Sequence, residues 1–240
     1  MRQHPYDKLL TRKRKWSPVK PTAGKLKDGS EDTIRRALAA RHMELPVGAF
    51  ITEGLEKTVP ENARRLLEDN VKDEERHDLA LGYIADALGV DETAENEAFK
   101  LRDAWIAHPD HTITKALVAE RAIFFVLLPF FRFNGDPALR TVSADISRDE
   151  QIHVATNSLV CHELGLSPSQ SLDKLRKATI NWIFQPLRND ATDRYLNKKF
   201  WLDQSDNLMY AGKTEGLVDT KRARVPAFFE TSNSDLPSYA

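Results

Sequence analysis

Two segments of the sequence carry the pattern Glu-x-x-His, the first at Glu74 and His77 and the second at Glu150 and His153. Residues three apart on an α-helix share one face, so each pair projects a carboxylate and an imidazole in the same direction. Burying an unpaired carboxylate is costly, so the motifs indicate a shared ligand rather than core packing. Each pair interrupts a mostly apolar stripe, whose other positions are Leu67, Val71, Leu81, Ile84 and Leu88, and Val142, Ile146, Asn157, Val160 and Leu164.

Metal sites in four-helix bundles define which partner residues to look for. A dimetal carboxylate site needs one Glu-x-x-His from each of two helices and one Glu from each of the other two. In an antiparallel hairpin, residues equidistant from the turn lie at the same height in the bundle. A turn near Pro60 therefore predicts a partner for Glu74 near position 46, and a turn near Gly135 predicts a partner for Glu150 near position 120. Glu44 and Glu120 are at these heights, each 30 residues before the glutamate of its motif. The spacing predicts a dimetal site formed by Glu44, Glu74, His77, Glu120, Glu150 and His153.

The ligand types favour redox-active metals. Oxygen and imidazole ligands suit iron or manganese, and carboxylates can bridge two such ions, with open coordination positions left for dioxygen. A metal-bound imidazole needs an acceptor for its second nitrogen, and the candidates are Asp149, which we prefer, and Asp73; each directly precedes a motif glutamate. The single cysteine, Cys161, excludes a Cys-rich zinc or iron–sulfur site. Redox chemistry is therefore expected to depend on Glu and His ligands.

The elements that would position these residues are helices. Long stretches with a 3.6-residue period, only 10 Gly in 240 residues and no convincing alternating pattern predict an all-α fold. Ser30 or Asp32 is the expected first N-cap, and Pro60, Gly89, the turn at 134–137 and Gly165 separate the later helices. The expected helices span residues 31–58, 61–88, 92–106, 112–133, 138–164, 169–185 and 190–202.

The net charge of −1 hides an uneven distribution, because residues 1–28 carry nine Lys and Arg against two Asp. We expect a basic, solvated N-terminal arm at 1–29, a helical bundle at 30–205 and a flexible C-terminal tail at 206–240. Near-neutrality argues against a wholly basic nucleic-acid binder, although the arm could contact nucleic acid. The longest apolar run, residues 122–131, is half of the roughly 20 residues that a membrane-spanning helix needs, and we expect a cytoplasmic protein.

Several of these motifs resemble the small subunit of ribonucleotide reductase, within the ferritin-like superfamily. The segment 147–153 contains its Arg-Asp-Glu-x-x-His pattern, Glu120 is followed by aromatic residues as in its third ligand helix, and Pro46 lies just after Glu44. The resemblance covers about residues 34–164 and, weakly, residues 16–18 and 224–230. It implies a ferritin-like four-helix bundle with additional helices, the six ligands above, Asp149 as the acceptor for His77, and Trp16 on the far side of Asp149.

The sequence departs from this family at the position of the stored radical. Radical-storing members have a tyrosine four residues after the first Glu-x-x-His, whereas this chain has Leu81. Tyr83 does not replace it, because two further residues rotate a side chain by about 200° around the helix. The first ligand, Glu44, also stands where many reductases have Asp. We therefore expect no tyrosyl radical at position 81, and an oxidising equivalent that stays on the metals.

Three functions remain open. The first is a ribonucleotide reductase small-subunit-like protein that uses two Fe or Mn ions, or one of each, with dioxygen. By resemblance it would be a homodimer with a tail, ending near Tyr239, that docks on a large subunit and passes an electron; a solvated terminus is the alternative for that tail. The second is a stand-alone di-iron oxygenase acting on an apolar or amine substrate. The third is a non-enzymatic metal-storing or structural protein.

Overall fold

A computed structural model describes residues 4–56 and 59–210 of the chain. Within these ranges there is no β-sheet, and one isolated β-bridge joins Arg188 and Asn197. None of the described helices combines the length and the hydrophobicity of a membrane-spanning segment. The helices are α1 (Pro5–Leu10), α2 (Glu31–Ala39), α3 (Glu44–Glu56), α4 (Glu61–Leu88), α5 (Glu92–Ala107), α6 (Thr112–Ala119), α7 (Phe125–Asn134), α8 (Pro137–Glu163), α9 (Gln170–Ile183) and α10 (Lys198–Tyr210).

Four elements form the central bundle: α3, α4, α8 and the continuous rod of α6 and α7. The α3 helix packs against α4 and α6, while α8 packs against α4, α6 and α7. The α5 helix connects α4 to α6, and α9 and α10 pack against the α6–α7 rod near its middle. This arrangement confirms the predicted all-α, ferritin-like four-helix bundle with additional helices.

The predicted stop signals set the helix ends. The α4 helix spans Glu61–Leu88 as predicted and ends at Gly89, whose φ of 82° is readily adopted only by glycine. The α8 helix begins at Pro137, directly after Asp136, whose Oδ1 accepts a hydrogen bond from the backbone N–H of Leu139 at 2.8 Å. Of the two long helices that carry Glu-x-x-His, α4 therefore has a well-defined end and α8 a well-defined start.

Two irregular turns interrupt helices that the sequence predicts as continuous. A 3₁₀ turn, Ala40–Met43, separates α2 from α3 and ends directly before Glu44. A π-helical turn, Glu120–Phe124, separates α6 from α7. π-helical turns are rare and occur often at functional sites. Both irregular turns adjoin predicted metal ligands, so the bundle departs from regular geometry at the heights where chemistry is expected.

The N-terminal segment is mostly exposed but is attached to the bundle at several points. Residues 4–29, which we call the N-terminal strap, begin with α1, whose Tyr6 and Leu9 are buried. The strap follows α4 and α8: Arg14 lies 3.6 Å from Asp145, and the backbone N–H of Gly24 donates to Asp136 at 2.8 Å. Most residues of the strap are exposed, as expected of a solvated arm. Three basic side chains nevertheless pair with acidic groups of the bundle, and the apolar side chains of α1 join its core; the three pairs are Lys13 with Asp73, Arg14 with Asp145 and Lys27 with Asp193.

The C-terminal helices also differ from prediction. The last described helix, α10, begins at Lys198 rather than near residue 190 because Asp193 and Asn197 stabilise turns before it; Asp193 accepts from the Tyr195 N–H at 2.9 Å. It continues to Tyr210, so regular helix extends past the predicted boundary at 205. The rest of the predicted tail, including residues 224–230 and Tyr239, lies outside the described residues.

Candidate dimetal centre

The structure brings the six predicted ligands together at the middle of the bundle. The first residue of α3 is Glu44, and the first residue of the π-helical turn is Glu120. The α4 and α8 helices each contribute one Glu-x-x-His pair. The side chains of all six residues are fully buried: Glu44, Glu74, His77, Glu120, Glu150 and His153.

The donor atoms divide into two overlapping groups that could each hold a metal ion. One group contains Glu44, Glu74, His77 and Glu150, and the other contains Glu74, Glu120 and His153; within each group the donor atoms lie within 4.8 Å of one another. Because Glu74 belongs to both groups, it is in the position of a bridging carboxylate. Its Oε2 lies 3.7 Å from Nδ1 of His77, and its Oε1 lies 2.9 Å from Nδ1 of His153.

The second motif glutamate also lies between the two imidazoles. Oε1 of Glu150 is 3.3 Å from Nδ1 of His77 and 3.8 Å from Nδ1 of His153. Glu44 and Glu120 occupy the two outer positions: Glu44 Oε2 lies 3.8 Å from Nδ1 of His77, and Glu120 Oε1 lies 3.7 Å from Nδ1 of His153. The site thus has one imidazole and one outer carboxylate on each side of two central carboxylates.

Unsatisfied polar atoms provide a test of whether this donor set fits metal ions. Both oxygens of Glu44, Glu74 and Glu150, Oε1 of Glu120 and Nδ1 of both histidines are buried and make no hydrogen bond of acceptable geometry with any described residue. Buried polar atoms in folded proteins are almost always satisfied, so a group of this size could hold metal ions. Hard oxygen donors together with imidazole nitrogens match iron or manganese, and the residues fit two such ions.

The second nitrogen of each histidine contacts a carboxylate on the opposite helix. Nε2 of His77 on α4 lies 3.3 Å from Oδ2 of Asp149 on α8. Nε2 of His153 on α8 lies 3.0 Å from Oδ2 of Asp73 on α4. These contacts leave Nδ1 of each imidazole directed towards the carboxylate cluster, which is the orientation that a metal ligand requires. The contact of Asp149 with His77 is the one that the family resemblance implies.

The N-terminal strap binds to both of these outer carboxylates. The indole Nε1–H of Trp16 donates to Oδ2 of Asp149 at 2.7 Å, and the Trp16 ring stacks near His77 with centroids 6.2 Å apart. The Lys13 ammonium forms an ion pair with Asp73. Between the two, Arg76 pairs with Asp73 and donates to Asp149 at 3.2 Å. Sequence reasoning identified Trp16 and Asp149 but missed Lys13 and Arg76, because only the fold brings them to these carboxylates.

The charges of the cluster are strongly coupled. Burial raises the pKa of Glu44 and Glu120 well above the ordinary range, and neighbouring carboxylates raise it further. Burial would lower the pKa of His153, but Glu74 and Glu150 more than offset this and raise it to about 10. Burial disfavours ionised Glu74, yet the two histidines hold its pKa below its usual value. Without metal, protons supply the positive charge that two divalent ions would supply instead.

The position of the family's radical tyrosine is buried and apolar. Leu81 lies within the core of the bundle, one turn after His77 on α4. Tyr83 is half-buried, and the ammonium of Lys20 lies 5.3 Å from the centre of its ring. The α4 helix therefore has an aliphatic side chain at position 81. The tyrosine nearest to it in the sequence, Tyr83, contacts Lys20 of the strap instead.

The fold and the site together define a ferritin-like helical bundle with a buried glutamate and histidine cluster that could hold metal ions. The chain is similar to a solved structure from Bacillus halodurans, provisionally described as a class I ribonucleotide reductase. The TM-score is 0.59 at 14% sequence identity, and the match covers 91% of this chain and 97% of that one. At this identity the likeness establishes the fold alone. No protein-family model and no curated protein matches the sequence.

Proposed function

We propose that this protein binds two iron or manganese ions, or one of each, and uses them with dioxygen as a ribonucleotide reductase small-subunit-like oxidoreductase. The observation that carries the proposal is the position of Glu74, whose two oxygens face His77 on one side and His153 on the other. A carboxylate in this position can bridge two ions, and two neighbouring ions can react together with dioxygen. The fold shared with the Bacillus halodurans structure supports the reductase-like assignment.

The six proposed ligands would each bind one or both of the ions. Glu44, His77 and Glu150 would hold one ion, Glu120 and His153 would hold the other, and Glu74 would contribute to both. Asp149 and Asp73 keep the two imidazoles oriented from outside the cluster. When bound, the metal ions would supply the redox chemistry, while the buried side chains fix the ligand geometry and exclude water.

Electron delivery is proposed to follow the same outer contacts. Trp16, Asp149 and His77 form a continuous hydrogen-bonded series from the strap to the cluster, with separations of 2.7 and 3.3 Å. The proposed partner is a reductase large subunit that docks on the C-terminal tail containing Tyr239, and the proposed assembly is a homodimer. Because Leu81 replaces the usual tyrosine, the oxidising equivalent is proposed to remain with the metals.

The aliphatic side chain of Leu81 also favours a second candidate function. A site without a tyrosine at this position leaves its oxidising power available to a substrate, as a stand-alone di-iron oxygenase requires. Such an enzyme would act on an apolar or amine substrate without a large subunit. The two candidates share the metal site and differ in the species that they oxidise, so one set of reconstitution experiments separates them.

The test loads the full-length chain anaerobically with Fe(II), Mn(II) or both, and records optical and electron paramagnetic resonance spectra before and after oxygen exposure. The oxidised protein is then assayed for nucleotide reduction with a large subunit from the same organism, using the intact chain and a chain lacking residues 231–240. Glu120→Ala is the variant without one proposed ligand. Glu75→Ala is the control, because Glu75 is an exposed neighbour of Glu74 on the same helix.

The reductase proposal predicts an oxygen-dependent change at a dinuclear centre, no tyrosyl radical signal, and nucleotide reduction that requires both the large subunit and residues 231–240. Oxygen consumption with an apolar or amine substrate, but no nucleotide reduction, would favour the oxygenase instead. Metal binding without any reaction with oxygen would contradict both candidates and favour the storage or structural role. Normal metal stoichiometry in Glu120→Ala would contradict the assignment of the site.

A further inference from the structure

The π-helical turn that carries Glu120 contains a backbone carbonyl bonded from outside the bundle. In this turn the N–H of Phe125 bonds to the carbonyl of Glu120, five residues earlier rather than four. The wider turn disturbs the regular hydrogen-bond ladder, and carbonyls in such a turn are commonly satisfied by inserted groups. Here the hydroxyl of Ser205 on α10 donates to the carbonyl of Ala122 at 2.7 Å.

The Ser205 hydroxyl is held in this orientation by Arg176 on α9. Nη1 of Arg176 donates to Oγ of Ser205 at 2.6 Å. A guanidinium has no acceptor, so the hydroxyl must accept from Arg176, and its proton is left for the Ala122 carbonyl. Both Ser205 and Arg176 are fully buried, and water does not compete for these bonds.

Arg176 is itself fixed by two carboxylates. Nη2 donates to Asp173 Oδ1 at 2.6 Å and to Asp206 Oδ1 at 2.7 Å, and Nε donates to Asp173 Oδ1 at 2.9 Å. Charge-assisted hydrogen bonds of this kind restrict the guanidinium to one position. The α9 and α10 helices therefore present a rigid hydrogen-bond donor to the π-helical turn.

We propose that Ser205 is a positioning residue for Glu120. The carboxylate of Glu120 is held by Asn157, whose Nδ2 donates to Oε2 at 2.7 Å. The backbone of the π-helical turn that carries Glu120 is held by Ser205, whose hydroxyl donates to the Ala122 carbonyl. The free oxygen, Oε1, is the one directed towards His153. Two helices outside the four-helix bundle thus help to set where this outer ligand lies. The inference rests on the proposed function, since Glu120 acts as a ligand only if the centre binds metal.

The test compares Ser205→Ala with Ser143→Ala and Ser205→Thr in the full-length chain. Ser143 is the matched control, because it is fully buried and its hydroxyl donates to the Arg140 carbonyl at 2.9 Å, two turns from Glu150. Ser205→Thr keeps the hydroxyl donor and tests for rescue. Two measurements are made: amide hydrogen exchange of residues 120–126 in the metal-free protein, and anaerobic titration with Mn(II).

Ser205→Ala is expected to speed amide exchange in residues 120–126 by about tenfold or more and to weaken binding of one of the two ions by about tenfold. Ser143→Ala is expected to leave both quantities as in the wild type, and Ser205→Thr to restore them. Unchanged exchange in Ser205→Ala, or faster exchange with unchanged affinity for both ions, would overturn the inference. A wild-type chain that binds no metal would overturn the proposed function, while the exchange rates would still decide whether Ser205 holds the turn.

Discussion

Oδ2 of Asp73 on α4 lies 3.0 Å from Nε2 of His153 on α8. The reciprocal contact, from Asp149 on α8 to His77 on α4, is 3.3 Å. Each aspartate directly precedes the glutamate of one motif and orients the histidine of the other. The two Glu-x-x-His helices are therefore connected to each other on the outer side of the cluster, and a change in one is expected to affect ligands on both.

Replacing Asp73 tests this reciprocal arrangement. Asp73→Ala removes the acceptor of His153 and the partner of Lys13, so the imidazole loses its fixed orientation. We expect metal affinity to fall by about ten- to a hundredfold, measured by anaerobic competition with a chelator. Asp69→Ala is the control, because Asp69 lies one turn earlier, is half-buried and is 3.7 Å from Lys13 without touching a histidine. Equal affinities in the two variants would contradict the assigned role of Asp73.

The N-terminal strap should contribute to the stability of the bundle. Leu9 of α1 is 5% exposed and belongs to the main core, whereas Val19, later in the strap, is 77% exposed. Leu9→Ala is expected to lower the free energy of unfolding by about 2–4 kcal/mol, and Val19→Ala by less than about 0.5 kcal/mol. Urea denaturation measures both. Equal, small effects would mean that the strap is solvated, as its composition alone suggests.

The ion pairs beside the start of α3 should make stability depend on pH. Glu95 on α5 pairs with Arg41 at 2.5 Å and with His42 in the 3₁₀ turn before Glu44. Burial opposes ionisation of Glu95, but Arg41 and His42 more than offset it and lower its pKa. A depressed folded-state pKa means that the stabilisation is present above the usual carboxyl pKa of about 4.5 and is lost as the pH falls through the folded-state value.

We therefore expect Glu95→Gln to be less stable than the wild type by about 1 kcal/mol near neutral pH, a modest figure because the pair is partly screened by solvent. The difference should shrink towards zero as the pH falls through the folded-state pKa of Glu95, which lies below its ordinary value. Urea denaturation over this pH range measures it, with Glu92→Gln, an exposed glutamate in the first turn of the same helix, as the control. A difference that is constant with pH would show that the loss is not electrostatic.

The positions of the six proposed ligands could be predicted from the sequence because an α-helix rises by a fixed distance per residue, so the spacing of two residues gives their relative positions along the bundle. A separation of 30 residues across each hairpin pairs Glu44 with Glu74 and Glu120 with Glu150, and the structure has all four in one cluster. The π-helical turn at Glu120 was not predicted, since residues 120–124 carry no pattern that distinguishes a wider turn from regular helix.

Contacts between segments that are far apart in the chain could not be predicted from the sequence. Lys13 and Asp73 are 60 residues apart, and a basic N-terminal segment is typical of a solvated arm. Only the packed bundle shows that buried acidic groups line the path of the strap. Ser205 was missed for a related reason, because the predicted last helix ended at residue 202, whereas the observed α10 helix continues to Tyr210 and includes residue 205.

The central claim is that the chain binds two metal ions that share Glu74. The most direct measurement is metal content per chain after anaerobic equilibrium dialysis against Fe(II) or Mn(II), in the wild type, Glu74→Ala and Glu75→Ala. We predict two ions per chain in the wild type and in Glu75→Ala, and neither ion held tightly in Glu74→Ala, because both groups of donors lose a member. A wild-type chain that binds one ion or none, or a Glu74→Ala variant that retains two, would contradict the claim.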